Sequence, residues 1–336
     1  MRLRPFVLAF ALALTPTIAF AQDEPPPPED KNADYAALFQ QGLDLLKAKR
    51  YDDSVKRFQA CIKLFPDRAV SYYNIACAYS MKKDTPKAVD WLKQSFDKGF
   101  LDLAHVSRDT DIDNIREEDA YKELIAKTRK KILAERPATV KIVPKDAKPG
   151  APLLVFLHAD GTNLEELSKK IGPLADRLGA YLVIPSGRLV DDRGAHWDST
   201  AETCVTHDVK AAQKEFDVDP EKVVVVGELD GASHAWSFAT HHGWKRVVAA
   251  AGVYEKIEGD AKDLRVFLFA PKAFDSALSA AVTVRDEVLK AGGKVRIERH
   301  DAQLAFPEDV IGAIERAVKW TLDEKLSSDK TELKKF

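Results

Sequence analysis

Val223-Val224-Val225-Val226-Gly227-Glu228-Leu229-Asp230-Gly231-Ala232-Ser233 is the stretch whose reading decides the fold. Four valines in a row suit a strand buried on both faces, as strands in a covered parallel sheet are. Asp219-Pro220 precedes the run and marks a turn into it. Two glycines four residues apart then bracket a sharp bend, and Ala232 opens a helical pattern that runs to His242. A strand, a glycine-flanked turn and a helix form a unit that presents one side chain, Leu229, at its apex.

Apolar runs of strand length alternate with helical stretches on both sides of this unit. The strands are predicted at Val140–Val143, Leu153–Leu157, Tyr181–Ile184, Val223–Val226, Val247–Ala251, Val266–Phe269 and Val295–Ile297. The helices are predicted at Leu164–Leu178, Val205–Phe216, Ala232–His242, Ser276–Ala291 and Pro307–Leu326. This alternation predicts a doubly wound, mostly parallel α/β sheet over residues 138–326.

Residues 34–135 read differently, as helices only. Tyr35 aligns with Ala69 at a separation of 34 residues; Gly42 then matches Ala76, Ser54 matches Ala88, Phe58 matches Leu92 and Cys61 matches Ser95. Small residues fall where two helices must approach closely, and large apolar ones where the pair buries its seam. Pro66 ends the first unit. This pattern resembles the tetratricopeptide repeat over about 35–100, with Gln41 and Phe100 as departures. A degenerate third unit runs through Leu103, Val106, Ile112, Ile115, Tyr121 and Leu124. The resemblance implies a surface for a protein or peptide partner.

The second half resembles the α/β-hydrolase fold, with phospholipase/carboxylesterase-type esterases as the nearest kin. The bend over 227–231 resembles that family's Gly-x-Ser-x-Gly nucleophile elbow, with Leu229 in the nucleophile position. A leucine has no heteroatom with which to attack a carbonyl. The loop Leu157-His158-Ala159-Asp160-Gly161-Thr162-Asn163 resembles the family's oxyanion loop, with Ala159 replacing a glycine. The position aligned with the family's histidine is Leu304, just before Phe306-Pro307, and His300 lies four residues earlier. Asp275, beside Phe274, fills the acid position but has no histidine to orient.

The resemblance therefore implies degenerate triad positions at Leu229, Leu304 and Asp275. His158, Ala159, Asp160, Trp197, Glu228, Asp230 and His300 remain as candidate cleft or binding residues. Two apolar replacements in two loops predict a cleft converted to packing. The reading is a non-catalytic protein that acts as an interaction scaffold or binding module. An esterase-type hydrolase with an atypical constellation of His158, Asp160, Asp230 or His300 is the second reading, and a small-ligand binder using the vestigial cleft is the third.

The amino terminus predicts export. Arg2 and Arg4, an apolar run from Phe6 to Phe20 and the small-x-small site Ala19-Phe20-Ala21 form a signal peptide over 1–21. The run is shorter than the ~20 apolar residues of a spanning helix. Residues 22–33, with Pro25-Pro26-Pro27-Pro28 among charges, predict a stiff linker, and 327–336 a polar tail. Localisation is expected to be periplasmic or extracellular, with no membrane span in the mature chain. The net charge of −2 calls for no nucleic acid. Cys61, Cys77 and Cys204 read as small buried hydrophobes. No spacing of Cys and His suggests a metal, and His241-His242 lacks a third ligand. No cofactor is expected.

Overall fold

The computed structural model describes residues 30–254, 262–273, 275–303 and 305–323. The signal peptide, most of the linker, Phe274, Leu304 and the polar tail lie outside the described residues. Among the described residues no helix is long and apolar enough to cross a membrane.

The first half is helical: α1 (Lys31–Lys47), α2 (Tyr51–Leu64), α3 (Ala69–Met81), α4 (Thr85–Asp97), α5 (Leu103–Arg108), a 3-10 turn (Thr110–Ile115) and α6 (Asp119–Ala134). The turns α1–α2 and α3–α4 have matching backbones. Lys49 and Lys83 both sit at positive φ, 59° and 60°. Arg50 N–H donates to the Leu45 carbonyl at 2.8 Å, and Asp84 N–H to that of Tyr79 at 3.0 Å. Close approach explains the small residues. A Cβ on Gly42 would stand 2.6 Å from the Phe58 ring, and Ser54 Oγ donates to the Gly42 carbonyl at 2.8 Å. Cys61, Cys77 and Cys204 are buried free thiols.

The second half is built on a seven-stranded sheet of β1 (Val140–Ile142), β2 (Leu153–Leu157), β3 (Tyr181–Ile184), β6 (Val223–Glu228), β7 (Arg246–Ala250), β8 (Arg265–Pro271) and β9 (Lys294–His300). Its order is β1-β3-β2-β6-β7-β8-β9, parallel throughout except for β1 against β3. Alternate residues of the buried strands face opposite layers. Leu153, Val155 and Leu157 pack with α9 (Ala201–Phe216), α10 (Asp230–His242) and α11 (Asp275–Lys290). Leu154 and Phe156 pack with α7 (Leu164–Ile171), α8 (Pro173–Leu178) and α12 (Val310–Leu322). The fold is thus a mixed, mostly parallel α/β sheet covered on both faces, in the α/β-hydrolase-like manner.

Three expectations are corrected. The single helix over 164–178 is two, because Pro173 cannot donate into the preceding turn. The last helix starts at Val310, capped by the Asp309 side chain, rather than at Pro307. An antiparallel hairpin, β4 (Leu189–Asp191) with β5 (Gly194–His196), lies where only a loop was expected.

Helix α9 belongs to both halves. Val205, Val209 and Ala212 pack on the sheet, while Cys204 is buried in the helical core. The Glu202 carboxylate accepts both terminal nitrogens of Arg108. Asp208 is gripped by Arg136 at 2.6 Å and by Thr139 Oγ1 at 2.6 Å. The Arg136 and Asp208 side chains are 8% and 4% exposed, so removing one partner strands a buried charge. Asp208→Ala is expected to lower unfolding free energy by about 3–5 kcal/mol in urea denaturation. A loss below about 1 kcal/mol would show that this seam is not a joint of the fold.

Candidate functional site

The bend after β6 is held by close backbone approach. A Cβ on Gly227 would stand 2.2 Å from the Gly231 carbonyl oxygen, and one on Gly231 would stand 2.1 Å from that of Leu157. Only glycine fits at either position. Leu229 N–H donates to the Ala250 carbonyl at 2.9 Å. These contacts force Leu229 to φ 51°, ψ −117°, a strained conformation that costs a non-glycine residue about 1–3 kcal/mol.

Leu229 is 45% exposed. This corrects the expectation that the cleft had been converted to packing: the leucine stands on the apex with nearly half of its surface in solvent and is not a sealed plug. Val253, 76% exposed, follows β7, and its N–H donates to Ser233 Oγ at 3.1 Å. The nearest serine in sequence is thus committed to the backbone beyond β7.

Carboxylates flank the apex. The Asp160 N–H points at Asp230 Oδ2 at 3.4 Å. Burial raises the Glu228 carboxyl above its ordinary range, opposed by Lys170 and by the Ala159 N–H. The Ala159 and Asp160 amides of this loop therefore face two side-chain carboxylates.

His158 is fully buried in this loop. Its Nδ1 donates to the Ala159 carbonyl at 2.7 Å, and its ring stacks on Trp197 at 4.3 Å. Trp197 Nε1–H in turn donates to the His158 carbonyl at 2.8 Å. Burial holds the His158 imidazole below its usual basicity, and Nε2 has no hydrogen-bond partner among the described residues. His234, packed on Phe238 at 5.2 Å, is depressed for the same reason.

The hairpin clamps the loop through a residue absent from the expected site, His196. Its Nδ1 lies 2.8 Å from Asp160 Oδ2 and its Nε2 lies 2.8 Å from Asp191 Oδ1. Asp160 also accepts the Trp197 N–H at 3.0 Å. The two carboxylates hold the imidazole above its ordinary pKa.

The structure brings His158, Ala159, Asp160, Trp197, Glu228 and Asp230 together around Leu229. His300 goes elsewhere. It is buried at the end of β9, with Nε2 3.1 Å from the Ala305 carbonyl, on the side of the sheet where Phe269 and Phe306 pack. Asp275 is exposed at the first turn of α11. His241 and His242 end α10, and His242 Nε2 meets Glu202 Oε1 at 2.8 Å. Among the described residues around the bend, no histidine is paired with a hydroxyl or thiol that it could activate.

The covered parallel sheet and the strained bend after β6 define an α/β-hydrolase-like class. No protein-family model matches the chain. It is similar, at 26% identity over 88 residues, to a chloroplastic protein of Arabidopsis thaliana, covering 25% of this chain and 26% of that protein. The chain thus spans about a quarter of the length of the curated relative it matches. Among solved structures it is similar to a Bacillus cereus carboxylesterase, at 18% identity, 55% of this chain, 92% of that one and a TM-score of 0.44. A Mesorhizobium loti carboxylesterase gives 15% identity, 52% and 97% coverage and a TM-score of 0.43. An uncharacterized protein of Bacillus cereus ATCC 10987 gives 14% identity, 86% and 99% coverage and a TM-score of 0.45.

Two outcomes are expected. Leu229→Gly relieves strain and uncovers little, so it should cost less than about 1 kcal/mol in thermal denaturation, whereas truncating a buried leucine even to alanine costs about 2–5 kcal/mol. The His196 clamp is pH-dependent. Its folded pKa is raised, so its stabilisation is complete below the ordinary imidazole value of 6.5 and is lost as pH rises through the folded value. The melting-temperature gap between wild type and His196→Gln should therefore shrink from pH 6 to pH 9. A gap that widens with pH would contradict the clamp.

Proposed function

We propose that this chain is an exported, non-catalytic binding protein on a hydrolase-like scaffold. Its helical half over 34–135, read as tetratricopeptide-like repeats, receives a protein or peptide partner. Its second half over 138–326 offers the exposed, leucine-tipped bend to a ligand or to the same partner. One observation carries the reading: the apex that would hold a nucleophile holds an exposed leucine in the same strained backbone. Removing a triad nucleophile lowers turnover by about 10⁶. Ser233 and His158 are committed to backbone partners, so neither replaces the missing groups.

The exposure of Leu229 favours binding over inert packing. Keeping an apolar side chain in a strained and solvated position opposes stability twice, and such positions concentrate at ligand clamps and active sites. The acidic rim of Asp160 and Asp230 adds charge recognition to that apolar tip.

Hydrolysis of short-chain nitrophenyl esters separates this reading from an esterase with an atypical site. Wild type is expected to match Leu229→Asp and buffer. Turnover well above both would overturn the non-catalytic reading.

A further inference from the structure

A cavity of about 330 Å³ opens on the seam between the two halves. Leu103 and Ser107 reach it from α5, Arg129 from α6 and His242 from the end of α10. Helix α10 separates it from the apex at Leu229 by about 18 Å, at about 1.5 Å per residue. One face of α9 forms its wall. Thr203, Thr206, His207 and Lys210 line it at the spacing of a single helical face. The opposite face of α9, with Val205, Val209 and Ala212, is buried on the sheet.

The charge of this cavity is unbalanced. Among the described residues that line it, Glu202 is the one acid, and its carboxylate is already used. Oε1 accepts from Arg108 Nη1 and meets His242 Nε2 at 2.8 Å, and Oε2 accepts from Arg108 Nη2 at 3.0 Å. Burial opposes ionisation of this carboxyl, but His242 and Arg108 outweigh it and hold the group down to about 2. Arg108 therefore cancels Glu202, while Arg129 and Lys210 remain. Neither forms an ion pair or a side-chain hydrogen bond among the described residues. The cavity thus carries the surplus charge of these two cations.

Free hydrogen-bonding groups accompany that charge. Thr203 is only 7% exposed, and its hydroxyl, on the cavity wall, has no partner among the described residues. The His207 ring lines the same wall and is equally unpartnered there. A phosphate monoester carries a charge of about −1.5 to −2 at neutral pH and three acceptor oxygens. It matches two cations, a hydroxyl and an imidazole. A carboxylate would cancel only one of the two charges.

We propose that this cavity binds a small phosphorylated molecule, with Arg129 and Lys210 as cations for the phosphate and Thr203 and His207 as its hydrogen-bond donors. The volume falls at the lower end of the range for small-ligand sites, about 300–1,000 Å³. It leaves room for a group of sugar size beside the phosphate and too little for a peptide chain. Arg129 belongs to the helical half and Lys210 to the helix shared by both cores, so the bound phosphate ties α6 to α9 across the seam. The site is independent of the bend and of the function proposed for it.

The test is calorimetric titration of the full chain at fixed ionic strength with glucose 6-phosphate, glycerol 3-phosphate, inorganic phosphate, glucose and acetate. At least one ester should bind at a single site and more tightly than inorganic phosphate, while glucose and acetate should not bind. Lys210→Gln and Arg129→Gln, both at exposed positions that leave the fold intact, should each weaken the ester by about tenfold. Lys130→Gln, one position along α6 and outside the cavity, removes the same charge and should leave binding unchanged. Absence of binding by both esters, an equal loss in Lys130→Gln, or affinity unchanged in Lys210→Gln and Arg129→Gln would overturn the proposal. Equal binding of inorganic phosphate would do so too, by assigning the cavity to the free ion.

Discussion

The approach of Gly231 to the Leu157 carbonyl is the contact on which the second half depends. It presses the start of α10 onto the end of β2, with no room for a side chain. Gly227 meets Gly231 in the same way across the bend. Between them the backbone has one path, and that path holds Leu229 at positive φ. The bend is thus dictated by packing between strand and helix, whatever side chain occupies its apex.

From that bend α10 runs to the seam with the helical half. It begins at Asp230, beside the Asp160 loop, and ends at His242, against Glu202. Glu202 is also the acceptor for Arg108 of α5. One helix therefore connects the open apex to the proposed partner-binding half through a buried carboxylate. His242, Arg108 and Glu202 form a continuous polar joint, and α9 anchors that joint in both cores.

Much of this was legible in the sequence, for identifiable reasons. The strands Leu153–Leu157 and Tyr181–Ile184 fall where their apolar runs place them, because a doubly covered sheet demands continuous apolar sequence. The glycines at 227 and 231 located the bend. The hairpin was not legible, since Leu189 and Val190 are exposed and only three residues form each strand. The His196 clamp joins positions 160, 191 and 196, and no local pattern records that meeting. The exposure of Leu229 was also hidden: the same eleven residues fit a plugged cleft or an open one, and only the packing of neighbouring loops decides.

On the proposed reading, the bend keeps a strained backbone while the groups that would make it reactive are replaced or held elsewhere. Fluorophosphonate labelling of Leu229→Ser tests this most directly, because it restores the nucleophile in its own backbone position. No labelling above wild type is expected, since His196 and His300 are held by other partners and the His158 ring is fully buried and stacked on Trp197, which leaves the new serine without a base. Rapid, active-site-directed labelling of that serine would contradict this, by showing that a working base and oxyanion site still surround position 229.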